Sequence, residues 1–170
     1  MSDLDPGVME RPAKPSPLPL YLTARIDILP DGRFRLDGDK SAIIVPVRDR
    51  HGLICDLTAY LDGDPGEWWV KEGDQCPILG ARELAIASAW GDPIAAHPTP
   101  EAWIKAGGIG ICVLDWGVSL LDLFDGIPRV ETNHLPSPVA AALADRIHKN
   151  FFKSVPFVER PRKEAHNAAA

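Results

Sequence analysis

From Leu20 the chain alternates. Leu20, Leu22, Ala24, Ile26 and Ile28 are separated by Tyr21, Thr23, Arg25 and Asp27, and a period of two marks a strand with one buried face. Pro30-Asp31-Gly32 supplies turn residues, and alternation resumes over Arg33–Leu36 with Phe34 and Leu36 on one side, which predicts a hairpin. Ala42–Val47 is a nearly continuous β-branched run, the pattern of a central strand. After the polar turn Arg48–Gly52, Leu53, Cys55, Leu57, Ala59 and Leu61 alternate against Asp56, Thr58 and Tyr60, giving a second hairpin. Asp62–Gly66 is a turn signal, and Glu67–Lys71, carrying Trp68-Trp69, is a further strand closed by Gly73. The front of the chain therefore reads as antiparallel sheet.

Beyond Gly80 the period lengthens. Ala81–Trp90 is an alanine- and leucine-rich helix ended by Gly91-Asp92-Pro93. Residues 92–116, DPIAAHPTPEAWIKAGGIGICVLDW, organise the second half of the chain. The apolar run Ile94–Ala96 leads through His97-Pro98 to Thr99, whose hydroxyl suits a helix N-cap. Pro100 fits the first helical position, where no N–H is needed, and Gly107-Gly108 end the helix. The second apolar run, Ile109–Leu114, ends on Asp115. Strand, short helix and strand make a βαβ crossover joining parallel strands. Leu120, Leu121 and Phe124 have helical spacing, and Ile127–Glu131 reads as a short strand. Ser137-Pro138 opens a helix of about fourteen residues whose Val139, Leu143, Ile147 and Phe151 form one face.

These elements predict one mixed α/β domain over residues 19–155. A hairpin-built antiparallel sheet leads into a βαβ unit and a C-terminal amphipathic helix. A proline-rich tail (1–18) precedes the domain, and a basic tail (156–170) ends the chain. A chain of 170 residues buries a core large enough to need no metal or disulfide. The three cysteines, Cys55, Cys76 and Cys112, are far apart and odd in number, which argues against a disulfide framework and suits the cytoplasm. No stretch approaches the roughly 18 apolar residues of a membrane span, and residues 1–15 lack the apolar segment of a signal peptide. The expectation is a cytoplasmic protein with no membrane partner.

Charge is unevenly spread. The net charge is −6, but the segment Arg146–Glu164 carries Arg146, Lys149, Lys153, Arg160, Arg162 and Lys163 against Glu159 and Glu164. Such asymmetry marks either a segment that contacts phosphates or a solvated chain end. Adjacent strand residues face opposite ways, so the Trp68-Trp69 pair either covers both faces of a sheet or leaves one ring the more exposed. Trp69 beside Lys71 would then stack a nucleic-acid base. Asp115 stands at the carboxyl end of a parallel strand, where open α/β sheets bind ligands. Glu83, and Asp122 with Asp125 just beyond, could join it around a divalent cation; the alternative is that these acids are satisfied by backbone amides at strand ends and helix starts. His51 lies four residues before Cys55, but Cys55 sits among leucines as a small apolar residue. His97 precedes a helix cap and reads as a turn residue. No phosphate-binding glycine loop or nucleophile elbow is present.

The run Ile43–Leu61, IIVPVRDRHGLICDLTAYL, followed by a tryptophan-bearing strand and Ile78-Leu79-Gly80, resembles the sheet leading into the Toprim fold of phage- and plasmid-type primases. That resemblance implies a helix with a catalytic glutamate and a strand ending in two spaced aspartates that hold magnesium. Glu83 and Asp115 fall near those places, although Asp115 is followed by Trp116-Gly117. Asp56–Ala59, Trp68-Trp69, Leu79-Gly80 and Thr99–Gly107 together are similar to small prophage- and mobile-element-associated bacterial proteins. The reading is a degenerate Toprim-like, non-catalytic accessory protein of a mobile element. It would act on single-stranded nucleic acid or on a replication or primase protein, without cofactor. The alternatives are a magnesium-dependent phosphoryl-transfer enzyme using Glu83, Asp115 and Asp122, and a protein-interaction module.

Overall fold

The β-branched run at 42–47 lies in the middle of a nine-residue strand at the centre of the first sheet. The computed structural model describes residues 20–73 and 76–153. The tails at 1–18 and 156–170 lie outside them. Five strands, β1 (Leu22–Ile28), β2 (Phe34–Leu36), β3 (Lys40–Arg48), β4 (Ile54–Leu61) and β5 (Asp64–Val70), form an antiparallel sheet in the order β2-β1-β3-β4-β5. Four short strands, β6 (Ile78–Leu79), β7 (Ile94–His97), β8 (Ile111–Val113) and β9 (Val130–Glu131), form a second sheet in the order β6-β8-β7-β9. The helices are α1 (Ala81–Trp90), α2 (Pro100–Lys105), α3 (Leu120–Leu123) and α4 (Ser137–Lys153). The chain is a mixed α/β protein.

The first sheet curls on itself. Ile26, Phe34, Ala42, Ile44 and Ala59 bury their side chains together, with Leu57, Leu61 and Trp69 packed against them. All of these belong to β1–β5, so the sheet covers this face with its own strands. Closure comes from a bridge between Arg33, just before β2, and Val70, at the end of β5. The opposite face carries Val45, Val47 and Tyr60, which pack on Leu79, Trp103, Cys112 and Leu114 of the second half. The strand β3 is therefore buried on both sides, which is why it lacks polar alternation. Polar Asp56 and Thr58 are also buried. Asp56 offsets its desolvation by accepting the amides of Leu57 (2.7 Å), Glu72 (3.0 Å) and Gly73 (2.9 Å).

Three local expectations change. Strand β5 begins at Asp64, inside the expected turn, so the reversal is confined to Asp62-Gly63. Phe34 is buried whereas Leu36 is 41% exposed, because only Phe34 reaches the curled interior. Cys55 and Cys76 form a disulfide that ties β4 to the segment leading into β6, leaving Cys112 free and buried. The expectation of reduced, unpaired cysteines is corrected. Wide separation in sequence says nothing about distance once β4 packs against the second sheet.

The βαβ unit forms as its caps predict. Strands β7 and β8 are parallel neighbours, with Ala96 opposite Ile111 and His97 opposite Cys112. Thr99 Oγ1 accepts from the Ala102 amide at 3.1 Å, Pro100 occupies the first turn, and Gly107 and Gly108 are left-handed. Close approach explains Gly110: a Cβ there would collide with the Ala95 carbonyl. Its own carbonyl accepts from Trp103 Nε1 at 3.0 Å. The helix α4 presents Leu143 and Ile147 to a core shared with Ile94, Ala96, Ile111, Leu120 and Phe124. Strand β6, antiparallel to β8, has no counterpart in the sequence pattern, being only two residues long.

Candidate functional site

Connections leave β7 and β8 toward opposite faces of the second sheet. After β7 the chain crosses through α2, whose Trp103 packs on the side of the first sheet. After β8 it crosses through α3, whose Leu120 packs on the other side with α1 and α4. In parallel sheets this divergence opens a crevice at the carboxyl ends of the strands, the usual ligand position. His97 ends β7 there and is 4% exposed. Its Nε2 lies 2.9 Å from the Ile109 carbonyl and its Nδ1 lies 3.4 Å from Nε2 of His134, in the loop between β9 and α4. The two rings meet edge to face, centroids 4.8 Å apart. Burial pushes the His97 imidazole below the usual histidine range; the Ile109 carbonyl opposes this and His134 adds to it.

The second sheet also has an open margin. Ile94 of β7 donates to the Arg129 carbonyl at 3.0 Å, and Ile94 stands opposite Val130. In a parallel ladder the residue between successive bonds turns its own amide and carbonyl outward, so Val130 offers both at the edge. Beside that edge runs a channel made of two adjoining hollows of about 320 and 550 Å³. Val130 and Thr132 form one wall, and Ala140, Ala141, Ala144, Ile147 and Phe151 of α4 form the other. Alanines at the spacing of a helix face keep the wall low. Arg129 and Glu131 at the rim pair with each other, leaving the mouth without a net charge from these two.

The residues singled out from sequence do not gather. Asp115 is exposed at the carboxyl end of β8, as its position predicts, and its carboxylate accepts from the Gly117 amide at 2.7 Å. Glu83 lies in the first turn of α1. Asp122 is on α3, in a hollow of about 770 Å³ that it shares with Asp49, Arg50, His51 and Asp125. Among the described residues no three His, Cys, Asp or Glu side chains come together to hold a metal ion, so the convergence that magnesium chemistry requires of Glu83, Asp115 and Asp122 is absent there. In that hollow Asp49 is engaged by the His51 and Leu53 amides at 2.8 and 2.9 Å, and Arg50 donates to His51. The disulfide occupies Cys55, so His51 and Cys55 form no nucleophilic pair.

Both tryptophans are partly buried, one on each face of β5. Trp68 joins the cluster between the sheets, and Trp69 packs into the curled interior of the first. The expected exposed stacking ring at Trp69 is corrected: curling turns an outer face into a core. Lys71 pairs with Glu72, Lys149 with Asp145, and Arg146 lies 4.1 Å over the ring of Trp116. The side chains of Lys153, Arg160, Arg162 and Lys163 lie outside the described residues. Sequence reasoning passed over His134 and the β9–α4 channel. A histidine in a polar loop and three alanines on a helix carry no local signal, although their spacing along α4 marks a shallow face. Among the described residues no helix is long and apolar enough to cross a membrane. Compared with known proteins, the chain matches no family model, no curated protein and no solved structure.

Proposed function

We propose that the chain is a non-catalytic accessory protein, of the kind implied by its resemblance to mobile-element proteins. It acts on a protein partner by taking an extended apolar segment of that partner into the channel between β9 and α4. The observation that carries this reading is the outward-facing amide and carbonyl of Val130 beside a channel walled by Ala140, Ala144, Ile147 and Phe151. An extended peptide satisfies such an edge by adding a strand, and its alternate side chains enter the neighbouring groove. Pairing of Arg129 with Glu131 at the rim suits an uncharged strand better than a phosphate backbone. The degenerate Toprim-like descent suggested by the sequence fits a replication or primase protein as the source of that strand.

The test selects peptides from a random library on the intact chain and measures their affinity by fluorescence anisotropy. Ala144→Arg fills the channel and Val130→Pro removes the outward amide. Each is expected to weaken the selected peptides by at least about tenfold, with Lys71→Ala unchanged. Peptides that bind Ala144→Arg as well as the parent would overturn the proposal. So would the absence of any selected peptide, or low-salt binding of single-stranded DNA in place of peptide.

A further inference from the structure

We propose that His97 and His134 form a binding site for a divalent first-row transition ion of the zinc class. The site does not depend on the peptide channel. Nε2 of His97 faces the Ile109 carbonyl at 2.9 Å, so that nitrogen carries the proton and Nδ1 presents its lone pair to His134. Metal-ligating histidines are held in this way, with the far nitrogen donating to a carbonyl that fixes both tautomer and ring orientation.

The spacing fits an ion. His97 Nδ1 and His134 Nε2 are 3.4 Å apart, long for a hydrogen bond between nitrogens. Two nitrogens each about 2.0–2.1 Å from a tetrahedral centre stand roughly 3.3–3.4 Å from each other. Metal replaces the contact without moving β7: the proton on His134 Nε2 shifts to its Nδ1, and both facing lone pairs turn to the ion. His134 is exposed, so the ion arrives from solvent. Among the described residues no third His, Cys, Asp or Glu completes the set, and water takes the open positions. Two imidazoles and no carboxylate select zinc, cobalt, nickel or copper over magnesium and calcium.

The experiment titrates Zn²⁺ into the intact chain by calorimetry at neutral pH and repeats the titration with Co²⁺, whose visible absorption reports nitrogen ligation. The parent is expected to bind one equivalent. His134→Ala, at an exposed loop position, is expected to weaken that equivalent by about tenfold or more, whereas His51→Ala and His148→Ala leave it intact. His97→Gln is a second variant, used with its fold verified by circular dichroism. Nitrogen-15 shifts on zinc addition are expected at Nδ1 of His97 and Nε2 of His134. Undiminished affinity in His134→Ala, a metal shift at His97 Nε2, or no saturable binding by the parent would each overturn the site.

Discussion

The indole Nε1 of Trp68 donates to the main-chain carbonyl of Leu114 at 3.1 Å, across 46 residues of sequence. This bond joins the last strand of the curled sheet to the residue directly after β8. Trp68→Phe keeps most of the apolar contact but leaves the Leu114 carbonyl without this donor. It is expected to lower stability by about 1 kcal/mol, and Trp68→Ala by about 3 kcal/mol or more. Urea unfolding followed by circular dichroism measures both. Equal losses in the two variants would assign the whole effect to the hydrogen bond.

Asp56 shows how a buried carboxylate organises a loop. It holds the amides of Glu72 and Gly73 just where the chain leaves β5 for the second sheet. Asp56→Ala strands these amides and is expected to cost about 2–3 kcal/mol. Asp56→Asn keeps one acceptor oxygen and loses less. Amide hydrogen exchange at residues 72 and 73 is expected to accelerate in Asp56→Ala ahead of exchange in β3.

The Cys55–Cys76 bridge closes a loop with a sequence separation of 21. By the chain-entropy argument a loop of that length is worth about 3 kcal/mol. Dithiothreitol, or the Cys55→Ala/Cys76→Ala double variant, is expected to lower the urea midpoint by a corresponding amount. Mass spectrometry of the unreduced chain is expected to leave Cys112 as the free thiol: its burial raises its pKa far above the ordinary thiol range and keeps it unreactive.

Stability is expected to fall on mild acidification through His97. Burial lowers its pKa in the folded chain, so the unfolded chain takes up the proton first, near 6.5. More protons on the unfolded state means that stability rises with pH. The contribution is whole above that value and is lost as pH falls through it toward the lower folded value. Asp27, held low by the Arg35 guanidinium and the Asp39 amide, acts in a separate window below 3.8. The urea midpoint is therefore expected to drop between pH 7.5 and pH 5, and His97→Gln is expected to flatten that drop. The same slope in the variant would remove His97 as its source.

Much of the fold is written locally. Thr99, Pro100 and the glycine pair at 107–108 start and stop α2 through their own backbone and hydroxyl chemistry, so the crossover is legible without a partner element. The face Leu143–Ile147 of α4 is likewise set by helical spacing. Asp115 falls at the rim of β8 as the crossover requires.

The order of residues alone thus specifies the longer elements and the pairing of β7 with β8, because caps, turns and periodicities act over a few bonds. Which faces lie inside is settled only when the elements pack. Curling closed Arg33 on Val70 and drew Trp69 inward, and packing buried Asp56 and Thr58 although they are polar. Packing also brought Cys55 to Cys76 and His97 to His134, pairs whose members sit 21 and 37 residues apart. Such contacts depend on how whole elements meet, and no short-range pattern of residues encodes them.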